Sequence, residues 1–569
     1  MKILHVCFFV FLSVKLLFSQ DIDQAEVKVL EGFKPEIPES EKIKETSDFI
    51  DTNKIDKVQI YSFLNKTLDV SYESRPIKSA KLSGEKLPEI KRFLVLLGGG
   101  THSLHSNISY NSLRKDYYSY GVTFNQFSNS YKVCYDDVSR NDDIFKNSHV
   151  NLKTFVKKIG VKNILVANID YDRRASKYKE DFPGSSQCED CDLNRFSYSK
   201  FGISLISNEL SDHELKYKTK FFISDLNQLS ENQIHFSSIL SKYVYNYPLN
   251  VKLDFNDYIN YSKTDSLSSR EKMGVKEFLV SPSTLLTEYG IDFNIGLDMY
   301  YQTDLIDGSS FEFFPQFQLS KYLVKNILFV EGGIRSVRVR NTIKSLSDEN
   351  PYIIAPGTNQ IYGIDSLISL NLKSTDIKNE LYLQMENVIG RDEIFNGSIS
   401  YGKISNLPFY YSINLDKNRR FYFSYIDVWR LRANANYKWQ INDLIGINAS
   451  INYFKYDTTV SNKENINGNF GVSLNLDEKI KVNTSISYLG ERKSLSSSGD
   501  FETSILEINW SEEYVLNPQI HTNISIDYNY TNSISGFLRI NNILNSKQEM
   551  WYGYREIGIN AWVGLSYSF

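Results

Sequence analysis

The chain has no surplus charge of either sign: 64 Lys and Arg stand against 68 Asp and Glu, a net charge of −4. That balance excludes a nucleic-acid partner, which needs a basic surface, and leaves no acidic run to form a disordered tail. Methionine (5) and proline (12) are scarce, while Tyr (39) and Phe (35) are abundant. Strands edged by aromatic side chains fit this better than a helical protein. The mean hydropathy of −0.35 excludes a helical membrane protein. It does not exclude a membrane barrel, whose strands show lipid only every second residue. Cysteine is limited to four, and no second C-x-x-C accompanies Cys188 and Cys191 to complete a four-ligand zinc site. Histidine is limited to seven, and no serine sits in a G-x-S-x-G turn, so neither an enzyme nor a cofactor is expected.

What is present begins with an export signal. Lys2 is followed by the apolar run Ile3 to Leu12, then Leu16, Leu17 and Phe18, before the small Ser19. Residues 1–20 therefore read as a signal peptide that takes the chain out of the cytoplasm. Residues 21–91 hold Pro35, Pro38, Pro76 and Pro88, many charges and no sustained alternation. They are expected to form an extended periplasmic arm with too little apolar surface for a core.

From Arg92 the pattern changes to alternation of period two, which marks strands with two unlike faces. Leu431, Ala433, Ala435, Tyr437 and Trp439 alternate with Arg432, Asn434, Asn436, Lys438 and Gln440. The same rule governs 445–453, 470–476, 480–488 and 523–530, and several of these strands end in Tyr or Trp. Such strands are longer than the usual 5 or 6 residues of a soluble sandwich, and their rings suit a membrane interface. Links alternate between short turns, as at Asp477–Lys479, and long polar segments at 131–146, 176–194 and 341–359. The expected fold is all-β: one closed antiparallel transmembrane barrel over residues 92–569, with about 18 to 22 strands and an even count. A wall that wide cannot be filled by its own side chains. Ile445, Val472, Val482 and Ile526 are expected to face lipid. The last strand, Ile559 to Phe569, puts Ala561, Val563, Leu565, Tyr567 and Phe569 on one face, with Trp562 a bulky exception on the other.

Several stretches resemble the TonB-dependent-receptor-like outer-membrane barrels of Bacteroidota. R-P-I-K-S-A-K-L-S-G-E at Arg75–Glu85 and N-S-L-R-K-D-Y-Y-S-Y-G at Asn111–Gly121 look like the opening of that group. Asp348–Gln360 looks like its long loop, and Gly397–Tyr410 like a later strand pair. Asn541–Phe569, with N-N-I-L-N-S-K and W-Y-G-Y-R-E-I-G, is similar to the closing hairpin of TonB-dependent receptors more broadly. The resemblance implies an outer-membrane location, and a terminal strand read by the barrel-assembly machinery through Tyr567 and Phe569. A full receptor carries a glycine-rich plug domain ahead of its barrel, whereas residues 21–91 hold only Gly32 and Gly84. The expectation is a plugless passage or docking barrel for a solute or partner protein.

A scaffold barrel of a larger outer-membrane assembly is the alternative, and a hydrolase at the rim a third reading. Expected partners are outer-membrane lipid, the assembly machinery, and a surface lipoprotein or other envelope protein. Cys188 and Cys191 close a C-E-D-C in a long loop and suit a small-loop disulfide, free thiols or half of a metal site, the first being favoured by an oxidising compartment. His102 and His105 follow Gly98–Gly100 but lie three apart, so along a strand they point to opposite faces. Inward-folding loops such as 341–359 are expected to narrow the passage without sealing it.

Overall fold

The computed structural model describes residues 91–113, 117–133, 143–177, 193–208, 213–226, 231–245, 247–261, 272–304, 308–353, 372–413, 421–477, 479–497 and 510–569. The expected signal peptide and nearly all of the expected arm, residues 1–90, lie outside them.

The first half of the wall is β1 (Phe93–Gly100), β2 (Ser103–Asn111), β3 (Tyr118–Val133), β4 (Asp143–Ile159), β5 (Asn163–Lys177), β6 (Leu193–Ser207), β7 (Lys216–Leu226), β8 (Glu231–Val244), β9 (Tyr247–Tyr261), β10 (Lys272–Glu288) and β11 (Ile291–Asp304). The second half starts with β12 (Gly308–Val324), β13 (Leu328–Arg340), β14 (Ser374–Gly390), β15 (Glu393–Ile413), β16 (Phe421–Gln440), β17 (Ile445–Tyr456), β18 (Ile466–Leu476) and β19 (Ile480–Leu489). After a short hairpin, β20 (Arg492–Ser497) and β21 (Trp510–Leu516), come β22 (Gln519–Asn529) and β23 (Ile534–Asn541). A second hairpin, β24 (Glu549–Trp551) and β25 (Tyr554–Arg555), precedes β26 (Asn560–Ser568).

Each of β1 to β19 pairs antiparallel with its neighbour; β19 then pairs with β22, β22 with β23, β23 with β26, and β26 with β1. Leaving aside the two hairpins, the ring closes with 22 strands, the upper end of the expected range and an even number. Closure leaves no unpaired edge, which is what a sheet surrounded by lipid requires.

The ring has two unlike ends. At one lie both ends of the wall, Phe93 and Ser568, together with tight turns such as Tyr289–Gly290. There φ is positive at both residues (52° and 70°), the conformation of a two-residue hairpin that follows strand twist. Links 134–142, 178–192, 341–373, 490–518 and 542–559 all lie at the other end. Short turns mark the periplasmic side and long links the outside.

Contacts between non-neighbouring strands identify the inner face. Ser374 Oγ on β14 donates to Glu277 Oε1 on β10, four strands away, at 2.6 Å. Residues of the other parity, such as Val563, Leu565, Ile451, Phe470 and Ile486, form the exposed apolar exterior. Ile445, Val472, Val482 and Ile526 share that outer face, as expected, because Val482 pairs with Ile526, Ile526 with Leu538 and Leu538 with Val563.

Three expectations need correction. The ends of 131–146 and 176–194 are strand: β3 runs to Val133, β4 starts at Asp143, β5 runs to Lys177 and β6 starts at Leu193, while 134–142 and 178–192 lie outside the described residues. Polar residues are tolerated there because the strands continue past the apolar band into water. Gly397–Tyr410 is one strand, β15, not a strand pair; its pairing with β16 shifts register between Ile404 and Leu407, around Asn406 with φ +54°. The 341–359 segment is not simply a polar loop, since it carries a helix, α1 (Ile343–Glu349), and buried Tyr352 and Ile353.

Candidate functional site: the mouth of the barrel

Register shifts recur on three neighbouring strand pairs: Arg335/Val337 on β13–β14, Lys378/Leu381 on β14–β15, and Ile404/Leu407 on β15–β16. Bulges bend a sheet, and here they tip the upper end of β14 inward. Ser374, Thr375 and Asp376 are all buried, so both faces of that stretch are covered. Above Ser405 the edge of β15 is thereby freed, and β20 takes it in parallel at Tyr411–Ile413.

The segment leaving β13 folds into the mouth as α1. Thr342 caps it: its Oγ1 accepts from Ser345 N at 3.0 Å, while Thr342 N donates to Ser345 Oγ at 2.9 Å. The helix is tied to the wall on several sides. Ile343 N donates to Glu231 Oε2 on β8 at 2.6 Å. Lys344 pairs with Asp172 on β5 at 3.2 Å, and Arg174 with Asp348 at 3.0 Å. Tyr410 Oη on β15 donates to Leu346 O at 3.2 Å and to Glu349 Oε2 at 3.0 Å. Beyond the helix, Asn194 on β6 donates to Pro351 O at 2.7 Å, and Phe421 N donates to Tyr352 O at 3.0 Å.

The second part of the lid is the β24–β25 hairpin. Arg492 Nη1 donates to Met550 O at 2.7 Å, Gln519 Nε2 to Glu549 O at 2.7 Å, and Tyr131 Oη to Arg555 O at 3.0 Å. Just past it, Glu556 lies 3.0 Å from His521. Burial raises the Glu556 carboxyl above its ordinary range, against the pull of His521 and Arg492. Burial likewise raises the Tyr352 hydroxyl.

Aromatic rings join the two parts. Tyr131 stacks on Phe145 at 5.5 Å, Phe145 meets Tyr554 at 6.0 Å, and Tyr554 stacks on Tyr352 at 3.6 Å. Trp551 then packs edge-on to Phe421 at 5.4 Å and to Tyr410 at 5.3 Å. This cluster is the main buried apolar core among the described residues. It reaches from β3 and β4 to β15 and β16. In a ring of 22 strands, β4 and β15 stand eleven places apart by either route, so the bridge joins opposite sides of the wall at the mouth.

Below the lid, the inner wall of β13 carries three arginines, each over an aromatic ring and beside a carboxylate. Arg338 makes a bidentate pair with Asp376 (2.6 and 2.9 Å), also meets Glu312, and lies 4.7 Å from the Tyr300 ring. Arg335 binds Glu380 at 2.8 Å over Tyr382, and Arg340 lies 3.7 Å from Glu277 over Tyr258. Sequence reading did not single out this ladder. Its signal was R-S-V-R-V-R at 335–340, whose arginines share one face only because a bulge falls at Ser336.

Of the residues singled out from sequence, Cys188 and Cys191 lie outside the described residues. Tyr567 and Phe569 lie on the exposed outer face at the seam. His105 faces the lumen, edge-on to Trp562 at 5.3 Å, while His102 sits in the β1–β2 turn, so the two do not converge. No group of three metal-ligating side chains occurs among the described residues.

The fold has known counterparts. A mutant of the ferric enterobactin receptor of Pseudomonas aeruginosa, in complex with enterobactin, aligns with a TM-score of 0.58 at 11% identity, over 84% of this chain and 81% of its own. The siderophore receptor PirA of Acinetobacter baumannii aligns at 0.60 and 13%, over 85% and 81%. The FrpB iron transporter of Neisseria meningitidis aligns at 0.61 and 10%, over 85% and 82%. At these identities the likeness is one of fold. No protein-family model matches the chain, and no curated protein matches it. A closed 22-stranded barrel of this kind is an outer-membrane protein.

Proposed function

We propose that the protein is an outer-membrane passage for a solute, held shut at its outer mouth by α1 and the β24–β25 hairpin, with residues 21–91 an arm rather than a plug. The observation that carries this reading is the aromatic bridge from β3 and β4 to β15 and β16. A barrel that served only as a scaffold has no need of a buried aromatic core joining opposite sides of its mouth. A lid anchored by separate side chains, through Glu231, Asp172, Tyr410 and Asn194, can be released by ligand contacts at the mouth. The charged wall beneath it gives a hydrated path for a polar solute. The fold neighbours named as receptors or transporters support a transport role over a structural one.

Proteoliposome swelling tests it. Deleting α1, Ile343–Glu349, is expected to raise the rate of entry of small sugars several-fold over the wild-type protein while the barrel stays heat-modifiable. An unchanged rate in a correctly folded deletion variant would refute the lid reading.

A further inference from the structure

The outer surface near the seam holds a cavity of about 740 Å³ that the lid and the lumen do not use. Its origin lies in strand length. The β1–β2 hairpin turns at Thr101–His102, and its ladder with β3 stops where Ser103 meets Asn129, with Ser130 N donating to His102 O at 2.9 Å. β3, β4 and β5 continue outward, since Val133 still pairs with Asp143 and Ser176 with Asn147. The step between a low hairpin and tall strands leaves a notch in the outer wall, closed below by the turn.

The register fixes which side chains face the notch. His149, Asp172 and Arg174 point into the lumen, where they meet one another and α1. Residues of the other parity, Lys146 and Ser148 on β4, Arg173 on β5 and Arg195 on β6, therefore point outward, beside Ser128 on β3. No carboxylate lines the cavity. Among the described residues the side chains of Lys146 and Arg173 make no ion pair or hydrogen bond. Along the same outer face, toward the periplasm, the wall turns apolar: Val156, Leu165 and Ile169 are exposed. Cations and hydroxyls thus sit directly above a lipid-facing band, at the outward end of the barrel. That order matches a lipid whose headgroup is anionic and whose chains run down the wall.

We propose that this notch binds the phosphate-bearing headgroup of an outer-leaflet lipid, with Lys146 and Arg173 as the phosphate contacts and the serine hydroxyls as further donors. Arg173 suits the role because a guanidinium meets phosphate through two parallel hydrogen bonds, while Lys146 acts as a point charge. His102 and Gly99–Gly100 also line the notch.

The experiment is native mass spectrometry of the full-length protein in detergent, titrated with lipid A bearing its phosphates, with the same lipid dephosphorylated, and with inorganic phosphate. The phosphorylated lipid is expected to bind at least tenfold more tightly than the dephosphorylated one. The double variant Lys146→Gln, Arg173→Gln should lose that preference, and each single variant part of it. Lys158→Gln, near the opposite end of β4, should keep it. Heat-modifiable migration establishes that each variant is folded, and the comparison among the three ligands on the wild-type chain stands whatever the variants do. Equal binding with and without the phosphates, or wild-type binding by the folded double variant, overturns the proposal. Displacement of the lipid by inorganic phosphate at matching concentration also overturns it, by showing a site for the free anion.

Discussion

At the scale of single residues, the seam shows how local sequence sets closure. Phe537, Trp562 and His105 form an inward-facing aromatic group beside facing glycines, since Gly98 pairs with Gly564 across β1 and β26. A Cβ on Gly98 would lie 2.8 Å from Phe537 Cζ and 3.1 Å from Trp562 Cε3, contacts with side chains alone. A Cβ on Gly564 would instead collide with Leu97 O as well as Phe537. Gly98→Ala should therefore lower thermal stability, and Phe537→Ala should restore part of the loss. Gly564→Ala should not be rescued in this way, because the backbone cannot move aside. Thermal melts of the singles and doubles check this, and equal rescue of both would contradict it. The alternation of β26 was legible in the sequence, and so was Trp562 as its exception. What was not legible is the reason, because part of the ring's space comes from Gly98, at the other end of the chain.

At the scale of elements, the lid and the arginine strand carry the testable content. Tyr352 is 8% exposed and stacked between the two parts of the lid. Tyr352→Ala removes a buried ring, a loss of order 3–5 kcal/mol where it cannot be repacked. Amide exchange in 343–353 and 549–555 should speed up together, with the wall strands unaffected. Exchange in only one segment would show that the two parts do not form one unit. On β13, Arg338→Ala strands Asp376, whose side chain is 7% exposed, as a buried carboxylate without its bidentate partner. A destabilisation of about 3–5 kcal/mol is expected. Asp376→Asn combined with Arg338→Met should cost less, as a double-mutant cycle would show. Strand positions followed from period and length, so the alternating stretches at 431–440, 445–453, 470–476, 480–488 and 523–530 fell on β16, β17, β18, β19 and β22. The lid did not, because its helix is only seven residues long and its apolar residues, Ile343, Leu346, Tyr352 and Ile353, are thinly spread through a polar segment. Their meaning depends on partners from the far wall, which no local pattern encodes.

At the scale of the whole molecule, the ring is sealed by its last residue. Phe569 O accepts from Arg92 N at 2.7 Å and Phe93 N at 2.8 Å, and its ring stacks on Phe93 at 4.8 Å. Removing Tyr567–Phe569 should leave secreted chain that fails to reach the outer membrane as a heat-modifiable barrel; normal assembly would show that the terminal residues are not an assembly signal. Whether a wide polar lumen is shut by the aromatic bridge can be read from single-channel conductance in planar bilayers. Wild-type protein should be silent or pass little current. The Tyr352→Ala, Trp551→Ala variant should open to a large, steady conductance, and deleting residues 21–87 should add little to it. A double variant as silent as the wild type, with large currents only after that N-terminal deletion, would contradict closure by the bridge.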